Sequence, residues 1–291
     1  MKIICETCMH HCTLDDGQWG VCGARKNENG LVKCKNYGMV TALALDPIEK
    51  KPLKMFYPGS KILSAGSFGC NLKCPFCQNH EISMVRQHMP GAVYLSPEKL
   101  ADKALEYKRS GNIGAAFTYN EPLVGWEYVR DAARLIKKAG MKNVLVTNGS
   151  ASLEVLEELL PYIDAMNIDL KGFRKEYYRK LGGDLETVKA FIVRAAQRCH
   201  VELTTLIVPG ENDSAAEMKA EAEWIAGIPV CSDIDAKNSG AEKNRKQIPL
   251  HITRFFPRYH MTDRSAADVQ DIYRLADIAG RYLDNVFVGN C

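Results

Sequence analysis

The sequence lacks the features of a membrane or exported protein. It contains no run of eighteen apolar residues, so we expect no transmembrane helix. The first twelve residues are rich in cysteine and include no apolar stretch of signal-peptide length, which argues against export. We therefore expect a cytoplasmic protein with no membrane partner.

Strong charge and internal repetition are also lacking. The net charge is only +3 over 291 residues, which gives no reason to expect DNA or another nucleic acid as a partner. Hydrophobic residues make up 46% of the chain and charged residues 25%, as in globular proteins that bury a full core. The length allows one large domain with a small appendage, or two modest domains.

Cysteine, in contrast, is abundant and clustered. Eight of the eleven cysteines precede residue 78. A secreted, disulfide-rich protein is usually smaller and spreads its cysteines along the chain. Clustering at metal-ligand spacing, in a chain without a signal peptide, favours metal or iron–sulfur chemistry in a reducing compartment.

From residue 61 onward, short apolar runs alternate with helical patterns. The predicted strands are 61–65, 114–118, 143–147, 164–170, 201–208 and 250–255, and the predicted helices are 97–110, 126–139, 153–160, 186–198, 215–226 and 266–283. This alternation predicts an α/β fold, a partial (β/α)6 TIM-like barrel formed by residues 61–291. Residues 1–60 are expected to form a small Cys-rich metal-binding module, in which residues 31–45 alternate like a strand pair with a turn at Tyr37-Gly38.

Polar motifs follow the predicted strands. In a barrel of parallel strands, the loops after the carboxyl ends form one rim, and active sites lie there. The motifs on this rim are 70–77, 118–122, 147–149, 169–172, 209–210 and 254–257. We therefore expect their side chains to face one another.

The first of these loops carries Cys70, Cys74 and Cys77 at a Cys-x3-Cys-x2-Cys spacing. Three thiolates on one short loop suit three irons of a cubane cluster. The loop has no fourth cysteine at tetrahedral spacing, and an open metal position is typical of a catalytic site. The alternative is a structural zinc site with a fourth ligand from elsewhere, such as His80 or Cys199.

This loop resembles the CxxxCxΦC signature of the radical S-adenosylmethionine (SAM) superfamily, with Phe76 at the aromatic position. The resemblance implies a [4Fe–4S] cluster whose open iron binds SAM. It implies reductive cleavage of SAM to a 5′-deoxyadenosyl radical, which abstracts hydrogen from a substrate. An external electron donor such as flavodoxin or ferredoxin is then expected as a partner.

Further rim motifs resemble the SAM site of this superfamily. Residues 118–122 resemble its GGEP-type motif, in which Glu121 would accept the SAM ammonium; the departure from Gly-Gly predicts a different backbone path. Segments 146–149 and 167–172 resemble stretches that line SAM in the pyruvate formate-lyase activating enzyme, although Asp169 and Lys171 suit a simple ion pair as well. The cofactor-binding residues implied are Phe76, Thr118, Tyr119, Asn120, Glu121, Asn148, Asp169, Lys171 and Val208.

The segment 250–260 is dense in aromatic and basic groups. It suits either the binding of an anionic or peptide substrate end or a packed aromatic edge strand. Lys171, His251 and Arg254 are the candidate catalytic residues. His251 is interpreted either as a general acid/base or as a hydrogen-bonded structural group.

The N-terminal segment carries Cys5, Cys8, Cys12 and Cys22. Four thiolates suit a closed zinc site or a second iron–sulfur cluster, and the spacing does not separate the two. With the runs 20–25, 46–53 and 254–257, this leader resembles the AmmeMemoRadiSam-system radical SAM proteins, which are activating-enzyme-like. The substrate is then a peptide, protein or small molecule, with glycyl-radical activation as one version. The alternative is a non-catalytic iron–sulfur or zinc protein that acts as a carrier or scaffold.

Overall fold

The computed structural model describes residues 1–87, 89–230 and 247–291. The strands are β1 (Ile3–Ile4), β2 (Thr13–Leu14), β3 (Arg25–Glu28), β4 (Leu31–Cys34), β5 (Met39–Val40), β6 (Ala42–Pro47), β7 (Lys61–Gly66), β8 (Val93–Tyr94), β9 (Asn112–Thr118), β10 (Lys142–Thr147), β11 (Ala165–Asp169), β12 (His200–Ile207), β13 (Leu250–Arg254) and β14 (Val286–Gly289). The helices within these ranges are α1 (His80–Ser83), α2 (Pro97–Glu106), α3 (Trp126–Lys138), α4 (Leu153–Leu159), α5 (Lys175–Lys180), α6 (Leu185–Ala196), α7 (Ala215–Ala226) and α8 (Val269–Ala279).

An eight-stranded sheet in the order β14-β13-β12-β11-β10-β9-β7-β6 forms the centre of the fold. The six predicted barrel strands pair in parallel, which confirms the partial (β/α)6 barrel. β14 adds a further parallel strand at one edge, and β6 adds an antiparallel strand at the other. Because the barrel strands are parallel and paired in register, their carboxyl ends meet at one rim.

The helices begin where the sequence supplies caps. Each of five N-cap side chains accepts a hydrogen bond from a backbone N–H in the first turn of its helix, which satisfies a donor that the helix leaves unpaired. These caps are Ser96, Ser152, Asp184, Ser214 and Asp268. The short helix α5 was not predicted, because its six residues are too few to show a period.

The strand pair predicted around Tyr37-Gly38 is wrong. β4 pairs with β3 instead, β5 pairs with β8, and β6 joins the main sheet beside β7. Segments this short carry no pattern that fixes a partner, so long-range contacts decide their pairing. The division at residue 60 stays a prediction, and the structure places β6 in the barrel sheet.

Residues 48–57 close the amino-terminal end of the barrel. Leu53 and Phe56 are fully buried and pack in one cluster with residues near the starts of the barrel strands, among them Ile62, Val144 and Ala165. The Asn167 side chain donates to the Pro52 carbonyl at 2.9 Å, and the Glu202 carboxylate accepts the backbone N–H groups of residues 54 and 55 at 2.9 and 2.8 Å. This segment therefore seals the end of the barrel opposite the rim.

The N-terminal segment docks on the rim itself. Ser152 N–H donates to the Thr7 carbonyl at 3.0 Å, and Cys70 N–H donates to the Cys22 carbonyl at 3.2 Å. Buried Arg25 donates two hydrogen bonds to the Glu127 carboxylate, at 2.6 and 2.9 Å. Within the described ranges, no helix has the length and apolar character needed to cross a membrane.

Candidate active site at the carboxyl ends of the strands

The three-cysteine loop follows β7 and is held by backbone hydrogen bonds. Gly69 has φ +89°, and a Cβ there would lie 2.7 Å from the Cys22 carbonyl oxygen, so glycine is needed where the loop starts. Cys77 N–H donates to the Cys74 carbonyl at 3.2 Å, and Lys73 N–H donates to the Leu181 carbonyl at 2.8 Å. Phe76 is buried in the main core and fixes the middle of the loop.

Burial favours the protonated form of two thiol groups in this loop. Burial raises the pKa of Cys74 to about 11, with Lys171 opposing the rise, and burial also raises the pKa of Cys70. In the part of the chain that the structure describes, no three His, Cys, Asp or Glu side chains converge on a single-ion site. Of the alternative zinc ligands, the His80 ring contacts the Cys77 carbonyl and Cys199 lies just after α6.

Asn148 connects the loop after β10 to the cysteine loop. Its side-chain amide donates to Asn71 Oδ1 at 2.9 Å and lies 3.7 Å from Cys70 Sγ, within reach of a weak N–H···S bond. Its Oδ1 accepts the Ser150 N–H at 3.0 Å, which fixes the orientation of the amide. Asn148 is thus set to donate to a cluster ligand.

Glu121 is buried and joins the ends of β9 and β10. Its carboxylate accepts the Asn148 N–H at 2.7 Å, the Thr147 hydroxyl at 2.7 Å and the Leu123 N–H at 3.0 Å. Burial raises the pKa of Glu121 to about 7, and these donors oppose the rise. The side chain therefore positions the rim loops directly, and direct contact with the SAM ammonium stays a prediction.

Tyr119 and Asn120 give this strand end a backbone path of its own. Tyr119 has φ +73°, a left-handed conformation that is uncommon for an aromatic residue. Its carbonyl accepts a hydrogen bond from Asn79 at 2.7 Å, and Asn120 accepts the Ser67 N–H at 3.0 Å. Asn120 also donates to the Gly69 carbonyl at 3.0 Å, so the motif holds both ends of the cysteine loop. Thr118, the last residue of β9, is buried.

Lys171 and Asp169 lie beside the cysteine loop. Lys171 Nζ is 2.7 Å from Asp169 Oδ2, so the predicted ion pair is present. Burial lowers the pKa of Lys171. Its neighbours Asp169, Cys74 and Cys77 raise this pKa by more than burial lowers it, so the net shift is upward. Lys171 is therefore a fixed cation next to the thiol groups, and Asp169 is partly exposed at the same place.

Two other predicted site residues, Val208 and Arg254, form hydrogen bonds of their own. Val208 is fully buried, and its N–H donates to Asn212 Oδ1 at 2.8 Å. Arg254 Nε donates to the Ala267 carbonyl at 2.7 Å, with its guanidinium 5.0 Å from the Phe256 ring centroid.

His251 forms a buried contact with Glu202, 2.6 Å between Nε2 and Oε2. Glu202 also contacts His200 and holds the segment that closes the barrel. This contact fits the alternative interpretation of His251 as a hydrogen-bonded structural group. A catalytic role for it stays a prediction without a geometric reason.

Three further residues around the motif were not singled out from the sequence. Asp46 accepts hydrogen bonds from the Lys51 ammonium and the Tyr119 hydroxyl, both at 2.8 Å. The ammonium also lies 4.7 Å from the Tyr119 ring centroid. Asp46 and Lys51 stand in the run 46–53 that carried a family resemblance, and Asn71 stands between two cluster cysteines. In the sequence, the one feature that could have identified these three residues is their position within or beside recognised motifs.

Comparison with known proteins identifies a family for this chain. The model of the Radical SAM superfamily matches residues 66–222. An uncharacterized protein of Methanocaldococcus jannaschii is 32% identical over 99% of this chain and 81% of its own length. The pyruvate formate-lyase 1-activating enzyme of Escherichia coli is 28% identical over 50% of this chain and 60% of its own length.

A solved structure supports the same fold. SuiB of Streptococcus suis superposes with a TM-score of 0.56 over 78% of this chain and 48% of that chain, at 13% identity. The family implies a [4Fe–4S] cluster and SAM, and three thiol groups with one open position fit such a cluster. The chain therefore belongs to the radical SAM superfamily, and it is an activating-enzyme-like enzyme of that class.

Proposed function

We propose that this enzyme generates a 5′-deoxyadenosyl radical at the rim and uses it to take a hydrogen atom from a peptide or protein substrate. The observation that carries the proposal is the joining of the cysteine loop to the cofactor motifs, with Asn148 bonded to Asn71 and Glu121 bonded to the Asn148 N–H. A metal carrier or scaffold has no need for such motifs beside an open cluster site.

The bound [4Fe–4S] cluster would supply one electron for the reductive cleavage of SAM. Cys70, Cys74 and Cys77 would hold the cluster. Lys171 offers a fixed positive charge for the SAM carboxylate, because the Asp169 carboxylate keeps it protonated. The buried carboxylate of Glu121 would keep the two loops in place.

The SAM amino group meets a polar rim. The loop after β9 is anchored by Asn79 and Asn120, and these bonds would orient the backbone carbonyls that accept from an ammonium. Val208 is proposed to face the adenosine. The segment that closes the opposite end of the barrel would keep water from the radical.

The proposed class of substrate is supported by one relative and by a group of aromatic and basic side chains. The E. coli relative is named for activating pyruvate formate-lyase, which is a protein. Arg254 stacks near Phe256, and the Tyr259 ring stacks on His80 at 4.5 Å between centroids, beside the cysteine loop. Aromatic and guanidinium groups suit a peptide, so we propose a protein or peptide substrate, with glycyl-radical activation as the first version to test.

The chemistry is tested by anaerobic reconstitution with iron and sulfide, followed by SAM and dithionite. Wild-type protein should release 5′-deoxyadenosine, and Cys74→Ala should not. Cys291→Ser is the matched control, because Cys291 is exposed and lies outside the rim. A cluster-loaded wild-type sample that cleaves no SAM would favour the carrier alternative.

The substrate is tested separately. A mixture with glycyl-radical enzymes of the host should give a glycyl doublet in electron paramagnetic resonance (EPR) spectra. Flavodoxin or ferredoxin should replace dithionite as the donor in the same mixture. Absence of the doublet alongside 5′-deoxyadenosine formation would exclude glycyl-radical activation and leave other peptide substrates.

We also propose that residues 1–60 act as a metal-binding module and residues 61–291 as the catalytic barrel.

A further inference from the structure

The four N-terminal cysteines are brought together by the fold. Cys5 N–H donates to the Cys12 carbonyl at 3.0 Å, next to the β1–β2 pair. A Cβ placed on Gly20 would lie 3.8 Å from the Sγ atoms of both Cys12 and Cys22. The charges of Cys5 and Cys22 both act on the Cys8 thiol. One small region therefore contains all four sulfur atoms, and the ten cysteines that the structure describes are free.

Donor groups lie close to two of these sulfurs. The His10 N–H and the Asn71 side chain lie near Cys8, and the N–H groups of Ala24 and Arg25 lie near Cys22. Backbone N–H groups two and three residues beyond a cysteine are placed to stabilise a thiolate, which is the form that binds metals.

Arg25 supplies an independent sign of a ligand. Its side chain is only 6% exposed, and its Nε–H is buried without a hydrogen-bond partner, although the other guanidinium nitrogens bond to Glu127 and the Val124 carbonyl. Cys5 and Cys34 are near enough for their charges to act on this guanidinium. Buried donors are nearly always paired, so the orphaned N–H calls for an acceptor in this region.

The kind of group follows from the ligand set and its surroundings. Four thiolates suit either one zinc ion, at about 2.3 Å from each sulfur, or an iron–sulfur cluster. A cluster also offers bridging sulfides that accept N–H bonds, and the buried Nε–H of Arg25 is a donor in this region. An iron–sulfur cluster is therefore the version to test.

We propose that Cys5, Cys8, Cys12 and Cys22 ligate a second iron–sulfur cluster, of the [4Fe–4S] type, and that the Nε–H of Arg25 donates a hydrogen bond to it. The site is closed by four cysteines, so it binds no SAM. It adjoins the first site, because the Cys22 carbonyl accepts the Cys70 N–H and a cavity of about 300 Å³ is lined by both cysteines.

The decisive sample is the Cys70→Ala/Cys74→Ala/Cys77→Ala triple variant, because it leaves the N-terminal segment intact. After anaerobic reconstitution it should hold about four iron and four sulfide ions per chain, against about eight of each in the wild type. A triple variant without iron, or one that binds a single zinc ion, would overturn the proposal. Mössbauer spectra and iron content of the wild type give the same answer if the triple variant does not fold.

Two further variants assign the ligands. Cys8→Ser/Cys22→Ser should lower the wild-type iron content by half, and Cys34→Ser should leave it unchanged, because Cys34 bonds to Asn36 instead. In the triple-variant background, Arg25→Gln should shift the midpoint potential of the remaining cluster to more negative values. An unchanged potential would remove Arg25 from the site.

Discussion

The Glu121 carboxylate accepts the Asn148 backbone N–H at 2.7 Å, and through this contact the ends of β9 and β10 become one unit. Asn148 in turn reaches Asn71 on the cysteine loop. Three rim segments that are remote in sequence are thus tied by two side chains. Substitutions at either residue should therefore change the stability of these loops or the properties of the cluster.

Glu121→Gln tests the buried carboxylate through pH. Since burial raises the pKa of Glu121 from 4.5 to about 7, the folded state holds its proton more tightly than the unfolded state. This contribution to stability is full below pH 4.5 and is lost as the pH rises through 7. The free energy of unfolding of the wild type minus that of the variant, in the apo proteins, should therefore fall by on the order of 3 kcal/mol across this window. A flat difference in urea titrations would contradict the buried carboxylate.

Asn148→Ala removes the amide that faces Cys70 Sγ. Loss of an N–H···S bond leaves more negative charge on the cluster ligand, so the midpoint potential should become more negative. EPR-monitored redox titration measures it. The variant also loses the bonds to Asn71 and Ser150, so we expect a destabilisation of about 1–3 kcal/mol. An unchanged potential in a folded variant would mean that Asn148 does not contact the ligand.

Lys171→Met tests the fixed cation. If Lys171 binds the SAM carboxylate, the Kd for SAM should rise by about tenfold or more, because one charged hydrogen bond is worth about 1.5–3 kcal/mol. Iron content should stay the same, and Lys171→Arg should restore part of the affinity. Equal SAM affinity in wild type and Lys171→Met would place the lysine in a purely structural ion pair.

Tyr119→Phe tests the contacts around Asp46. The variant loses the hydroxyl donor at 2.8 Å, while Lys51 still neutralises the carboxylate. We expect a loss of about 1 kcal/mol in unfolding free energy, with SAM cleavage retained. Abolished cleavage would instead give the hydroxyl a direct part in the reaction.

Glu202→Gln tests the base of the barrel. This carboxylate accepts hydrogen bonds from Lys54 N–H and Met55 N–H through its two oxygens, and it contacts His200 and His251. The NH2 group of glutamine would therefore point an N–H at one of these backbone N–H groups. Unfolding free energy should fall by about 1–3 kcal/mol. The cleavage rate per loaded cluster should change little, whereas a large loss would return His251 to the catalytic candidates.

The sequence patterns located the barrel well. The strands predicted at 114–118 and 250–255 differ from β9 and β13 by two residues or fewer at each end, because short apolar runs separated by capped helices leave few alternatives. The rim placement of Cys70, Glu121 and Asn148 also followed from this order. The short N-terminal strands, the left-handed Tyr119 and the pairing of His251 with Glu202 depend on contacts distant in sequence, which periodicity does not report.

The central claim is that the loop at 70–77 presents an open iron to SAM. It is tested most directly by EPR of the reduced, reconstituted enzyme with and without SAM. The account predicts that SAM changes the g values of the Cys70–Cys74–Cys77 cluster, recorded in the Cys8→Ser/Cys22→Ser background so that one cluster is observed. A spectrum that is identical with and without saturating SAM would contradict it.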